Sequence, residues 1–162
     1  MALSLESALL VKRRVMQSIS GIGTAGKSPL AGAAFTEFWK WLAGHKNNPT
    51  LQFVAISDLT ADVVAANVAC KLFAVFLKKQ ATATDSFYNV FDDATNDATE
   101  GDKRLTLGLV TASEQQFWFN PNGLDLAAGM VHGAYTAAAG ANGSTPTTSG
   151  DGPNGFVVIG AA

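Results

Sequence analysis

The spacing of apolar residues changes near residue 50. Before it, the spacing is helical. Leu5, Leu9 and Met16, with Ala8, Val15 and Ile19, share one side of a predicted helix over 3–19, and Lys12, Arg13 and Gln17 fill the other. Residues 20–28 form a Gly-rich break, and a second helix is predicted over 29–43. Ser28 can cap it, Pro29 suits its first turn, and Gly44 can close it. Phe35, Phe38, Trp39 and Leu42 follow the i, i+3, i+4, i+7 rule and form its apolar stripe. Trp41 falls off that stripe, either as a partner contact or packed against the next segment.

From residue 50 onward the period is that of strands. Segments 51–57, 68–78, 87–91, 105–110, 117–119, 124–135 and 156–159 are rich in Val, Phe, Leu and Thr and are separated by Gly, Asn, Asp and Pro clusters. Leu72, Ala74 and Phe76 interleave with Phe73, Val75 and Leu77, as in a central strand covered on both faces. Leu105, Leu107 and Leu109 alternate with Thr106 and Gly108, as in a half-buried strand. Asn120-Pro121-Asn122-Gly123 reads as the turn of a hairpin joining the strands around Phe119 and Leu126. Asp151-Gly152-Pro153-Asn154-Gly155 is a second turn, and the small residues of 137–150 predict an exposed, mobile loop. The expected fold is mostly β: an antiparallel sandwich or barrel (50–162) with a basic N-terminal helical arm (1–49).

Composition supports a packed protein and shifts attention to its surface. Of the 162 residues, 48% are apolar and only 15% charged, which allows a full core and suggests a surface covered by other chains or made of Thr, Ser, Asn and Gly. The net charge of −2 hides an asymmetry: residues 1–49 carry +4 and 50–162 carry −6. That division suits a docking arm on a solvent-facing body. One Lys12, Arg13, Arg14 run without interleaved aromatics is too sparse for nucleic acid. A single cysteine allows no internal disulfide and fits a reducing cytoplasm. Neither a signal peptide nor a membrane-length apolar run is expected.

One motif challenges a purely structural reading. Gly21-Ile22-Gly23-Thr24-Ala25-Gly26-Lys27-Ser28 matches G-x-x-x-x-G-K-S, in which backbone amides and the Lys hold phosphates and the Ser reaches magnesium. Gly21, Gly26, Lys27 and Ser28 are therefore nucleotide-binding candidates, with Asp58 as a conceivable metal partner. The motif needs a buried strand before it, and residues 11–20 are too polar to supply one. Asp92, Asp93, Asp97, Glu100 and Asp102 could attract calcium but lack the glycine of an EF-hand loop, and a solvated loop explains them better. His45 follows the second helix, His132 lies in a strand, and Cys70 is isolated, so neither a zinc spacing nor a nucleophilic pair is marked. Trp118 alternates with Phe117 and Phe119 and so faces the other way, toward a sugar, a subunit or the second sheet.

Several segments carry a family likeness: Cys70-Lys71-Leu72-Phe73-Ala74-Val75-Phe76, Phe87-Tyr88-Asn89-Val90-Phe91-Asp92-Asp93-Ala94-Thr95, Phe119-Asn120-Pro121-Asn122-Gly123-Leu124 and Gly152-Pro153-Asn154-Gly155-Phe156. In texture and order these resemble small virion proteins of tailed phages, of the head decoration or cement type, over about the last 95 residues. The resemblance implies a non-enzymatic capsid-decorating subunit, assembled in the host cytoplasm, found in the virion and needing no cofactor. Its partners would be the major capsid or another virion protein and further copies of itself, with no membrane or direct nucleic-acid contact. Lys12, Arg13, Arg14, Phe35, Phe38, Trp39, Trp41, Leu42 and Trp118 are the expected partner-binding residues. The alternatives are a receptor- or carbohydrate-binding module of a tail fibre, through Trp118 and the 137–150 loop, and a P-loop nucleotide-binding protein.

Overall fold

The computed structural model describes residues 33–45, 47–82, 84–110, 112–138, 140 and 146–162. The predicted helix over 3–19, the Lys12, Arg13, Arg14 run and the Gly21 to Ser28 motif lie outside these residues. The chain is a β-sandwich with one helix laid on its outside. Helix α1 (Ala33–Gly44) is followed by β1 (Gln52–Ile56), β2 (Val63–Ala66), β3 (Cys70–Lys78), β4 (Ser86–Phe91), β5 (Lys103–Leu109), β6 (Gln115–Leu126), β7 (Met130–Tyr135) and β8 (Asn154–Ala161). One sheet has the order β1-β8-β3-β6 and the other β2-β7-β4-β5, and every pairing within them is antiparallel. Among the described residues no helix is long and apolar enough to cross a membrane.

The first sheet is apolar on both faces. Its inner face, with Ile56, Leu72, Val75, Leu77, Leu126, Val157 and Ile159, packs on Tyr88, Val90, Leu109, Met130 and Ala134 of the second sheet. Its outer face is roofed by α1, where Phe38 and Leu42 meet Leu51, Ala74 and Val158, and Phe35 meets Phe76. The apolar stripe of α1 is thus turned onto the protein's own sheet. Fully burying a Phe or Leu side chain contributes roughly 1.5–3 kcal/mol, so the stripe is a large part of what holds the helix down.

Strand β3 reaches both apolar faces through a bulge. Leu72 pairs with Ile159 but Ala74 with Val158, which leaves Phe73 as an extra residue. Cys70 and Leu72 point to the inner core, and beyond the bulge Val75 and Leu77 do so, while Ala74 and Phe76 turn to α1. Strict alternation would have put Leu72, Ala74 and Phe76 on one face; the extra residue reverses the parity.

Four sequence expectations are corrected. Asn120 to Gly123 do form a turn, with Asn122 N donating to Asn120 Oδ1 at 3.0 Å and Asn120 Nδ2 to the Gly123 carbonyl at 3.2 Å. They do not reverse the chain, however. Leu124 pairs with Leu72 and Phe119 with Ala74, so the four residues loop out opposite Phe73 and β6 resumes along the same neighbour. Gly123 is required there: its φ is +74°, and a Cβ would lie 2.9 Å from Lys71 Cβ. The predicted strand 124–135 is divided between the end of β6 and β7. Strand β2 was not expected, because Ala65 and Ala66 carry little strand signal and only three of its four residues pair with β7.

Finally, the 137–150 loop is tied down at both ends. Asn89 Nδ2 donates to the carbonyls of Ala138 and Gly140, at 3.2 and 2.7 Å. Thr147 N donates to the Ala134 carbonyl at 2.9 Å, and its buried hydroxyl to that of Leu59 at 2.5 Å.

Candidate interaction surface

The aromatic residues proposed as partner contacts are mostly engaged in the fold. Phe38 is fully buried, and Phe35 and Leu42 nearly so. This corrects their assignment as docking residues: they meet the protein's own β3, β6 and β8. Trp39 is half-buried against Phe35 and Phe38. Trp41, off the stripe, lies against Phe73 at 4.8 Å and Phe119 at 5.7 Å between ring centroids, and His45 stacks on it at 4.5 Å. His45 also ends the helix, its Nδ1 lying 2.8 Å from the Trp41 carbonyl. Trp118 does face away from Phe117 and Phe119, and the side it faces is the inner core. It packs there half-buried, against the second sheet.

The described ionisable groups are likewise taken up by local structure. Asp58, at a φ of +43°, accepts hydrogen bonds from Gln80 Nε2 (2.9 Å), Gly150 N (2.9 Å), Gly152 N (3.2 Å) and Ser149 Oγ (3.1 Å). It is a pin for the loops at one end of the sandwich. In the acidic stretch, Asp93 accepts from Thr95 N, Asp92 pairs with Arg104 and accepts from Ala128 N, and Glu100 pairs with Lys103. The Thr99 hydroxyl and amide donate to Asp102, and these bonds hold its carboxyl below the usual carboxylate range. No group of His, Cys, Asp or Glu among the described residues is arranged to hold a metal.

His132 and Cys70 both face the inner core. His132 is 1% exposed, its Nδ1 is 2.8 Å from the Tyr88 hydroxyl, and Nε2 has no partner among the described residues. Burial pushes its pKa down to about 4 and pushes the Tyr88 phenol well up. Burial, with a smaller effect from Asp92, also raises the pKa of the Cys70 thiol, opposite to the activation a nucleophile requires. The residues of the nucleotide motif lie outside the described part, and the described strands form no parallel sheet of the kind that motif is built on.

The part of the surface left without an internal role is one side of the sandwich. Strands β1 and β2 are the edges of their two sheets on that side, each paired on one flank only. Neither strand contains a charged residue, and 63–70 as a whole is uncharged. Between them opens a cleft of about 390 Å³, lined by Gln52, Ala65, Ala66, Val68, Cys70 and Ile159 among others. Val68, which also lines it, is 65% exposed, and Val63 and Val64 of β2 are 41% and 39% exposed; the three are among the four large apolar residues exposed among the described residues. The opposite side, where β5 meets β6, is defended. Strand β5 opens with Lys103 and Arg104, and β6 carries Asp125, Pro121 and the four-residue excursion. No protein-family model, curated protein or solved structure matches the chain, so this geometry carries the functional argument. What the surface offers chemically is unpaired main-chain donors and acceptors flanked by small apolar side chains, which suits binding by strand addition.

Proposed function

We propose that the protein is a repeated structural subunit of a tailed-phage particle, of the decoration or cement type, acting by binding and not by catalysis. One observation carries this reading: the two sheet edges without a charged residue, β1 and β2, lie together on one side of the sandwich beside the exposed Val63, Val64 and Val68, while the outer apolar face of the first sheet is covered by α1. An exposed apolar edge is a liability in a free monomer and an asset in a subunit that spends its life assembled. The basic residues Lys12, Arg13 and Arg14 would add an electrostatic contribution at the particle surface.

The test is co-sedimentation of the full chain with capsid shells assembled from the major capsid protein of the genome that encodes it. Saturable binding, weakened in a triple variant with Lys12, Arg13 and Arg14 changed to Ala, is expected. Failure of the wild-type chain to sediment with those shells at any salt concentration sinks the reading.

A further inference from the structure

We infer that the protein carries a site of spontaneous covalent modification at Asn122-Gly123, where the Asn122 carboxamide is converted to aspartate and isoaspartate, while the same dipeptide at Asn154-Gly155 is held back by the sheet. The inference goes beyond the particle reading and does not depend on it.

The chemistry needs only the two residues and water. The main-chain nitrogen of Gly123 attacks Asn122 Cγ. A bond forms between them, the Cγ–Nδ2 bond breaks, and Nδ2 leaves as ammonia with the proton released from the Gly123 nitrogen. The five-membered imide so formed then adds a solvent water at either of its carbonyl carbons. Opening on one side restores the main chain with an aspartate. Opening on the other gives isoaspartate, with one extra methylene in the main chain. Nothing is oxidised or reduced. Glycine crowds the attacking nitrogen least, because it has no Cβ.

Two Asn-Gly pairs lie among the described residues, and a third, Asn142-Gly143, lies outside them. Asn122 and Asn154 are both exposed, so access to water does not separate them. Tethering does. Phe119 pairs with Ala74 and Leu124 with Leu72, and none of the four residues between them has a partner on β3. The two bonds of that turn run through Asn122 N and the Asn120 side chain, and they leave the Asn122 carboxamide out. Asn120 is no competitor, since Pro121 has no N–H with which to attack.

At the other pair both reacting groups are tied. Asn154 Oδ1 accepts a hydrogen bond from Asp58 N at 2.9 Å. Gly155 pairs with Ile56 on one flank and with Leu77 on the other, inside the sheet. A Cβ on Gly155 would lie 1.9 Å from the Phe76 carbonyl oxygen, so the neighbouring strand sits hard against it. Attack there requires the ladder to open first, and that opening adds to the barrier.

Peptide mapping by mass spectrometry tests the assignment, on the full chain held at mildly alkaline pH. Conversion at Asn122 is expected to run at least about tenfold faster than at Asn154, with isoaspartate present beside aspartate. In urea, which removes the ladder, the two rates are expected to converge. Asn122→Gln is expected to remove the new acid at this position. Asn154 converting as fast as Asn122 in the folded chain overturns the inference, and so does an Asn122 that stays intact in the folded chain while it converts in urea. Aspartate alone at residue 122, with no isoaspartate, overturns the imide route.

Discussion

His132 is a titratable group placed where its charged form is expensive. Its ring lies between the sheets with Met130 and Ala134 on the same face of β7, and the Tyr88 hydroxyl is its hydrogen-bond partner. Because burial depresses its folded pKa to about 4 from an ordinary 6.5, the unfolded chain binds the proton first as pH falls. Stability is therefore complete above pH 6.5 and declines through the interval from 6.5 to about 4. A shift of that size corresponds to about 3 kcal/mol by pH 4. Urea titrations at pH 7.5, 5.5 and 4.5 are expected to show that decline, and His132→Gln is expected to flatten it while lowering stability at pH 7.5. A wild-type protein equally stable at the three pH values would remove the buried, neutral imidazole from the account. The histidine was visible in the sequence but its environment was not, because the strand's inward face is defined only by the partner sheet.

Helix α1 shows how far periodicity reaches. Its stripe of Phe35, Phe38, Trp39 and Leu42 was legible from the spacing, and all four positions do face the sheet. That the stripe would be covered by the protein's own β3, β6 and β8 was not legible, since an amphipathic helix has the same pattern whichever surface it covers. Phe38→Ala removes a fully buried ring and is expected to cost about 3–5 kcal/mol in urea unfolding. Glu37→Ala breaks only the exposed 2.9 Å pair with Lys40 and is expected to cost under about 1 kcal/mol. The inverse ranking would place the helix off the sheet. The bulge at Phe73 and the excursion over Asn120 to Gly123 lay beyond periodicity for a different reason. Register between strands is a property of the pair, and one extra residue in a single strand leaves no mark on its own apolar content.

Across the full fold, the two ends and two sides of the sandwich have different work. One end is closed by Asp58, whose carboxylate gathers amides and side chains from residues 22 to 94 positions away in sequence. Asp58→Ala is expected to destabilise by about 2–3 kcal/mol, because it leaves the amides of Gly150 and Gly152 without their acceptor. Asp58→Asn, which keeps one acceptor oxygen and tolerates the positive φ, is expected to cost less. Equal stability of both variants and wild type would show that the loops hold without the pin. The β1/β2 side, by contrast, presents two sheet edges without a charged residue, and the shell-binding measurement above addresses it.

The one-dimensional pattern determined what each segment prefers: helix before residue 50, strands after it, in a chain apolar enough to form a core. Those features follow from local spacing and composition, which act over a few residues. Which apolar surfaces are spent inside the protein and which are left over was decided only when the sheets stacked. Phe38 was thereby removed from the surface and Trp118 half-buried, while Val63, Val64 and Val68 were left on it. The physical reason is that burial is a property of pairs of surfaces, and strand order and register between residues tens of positions apart select the pairs.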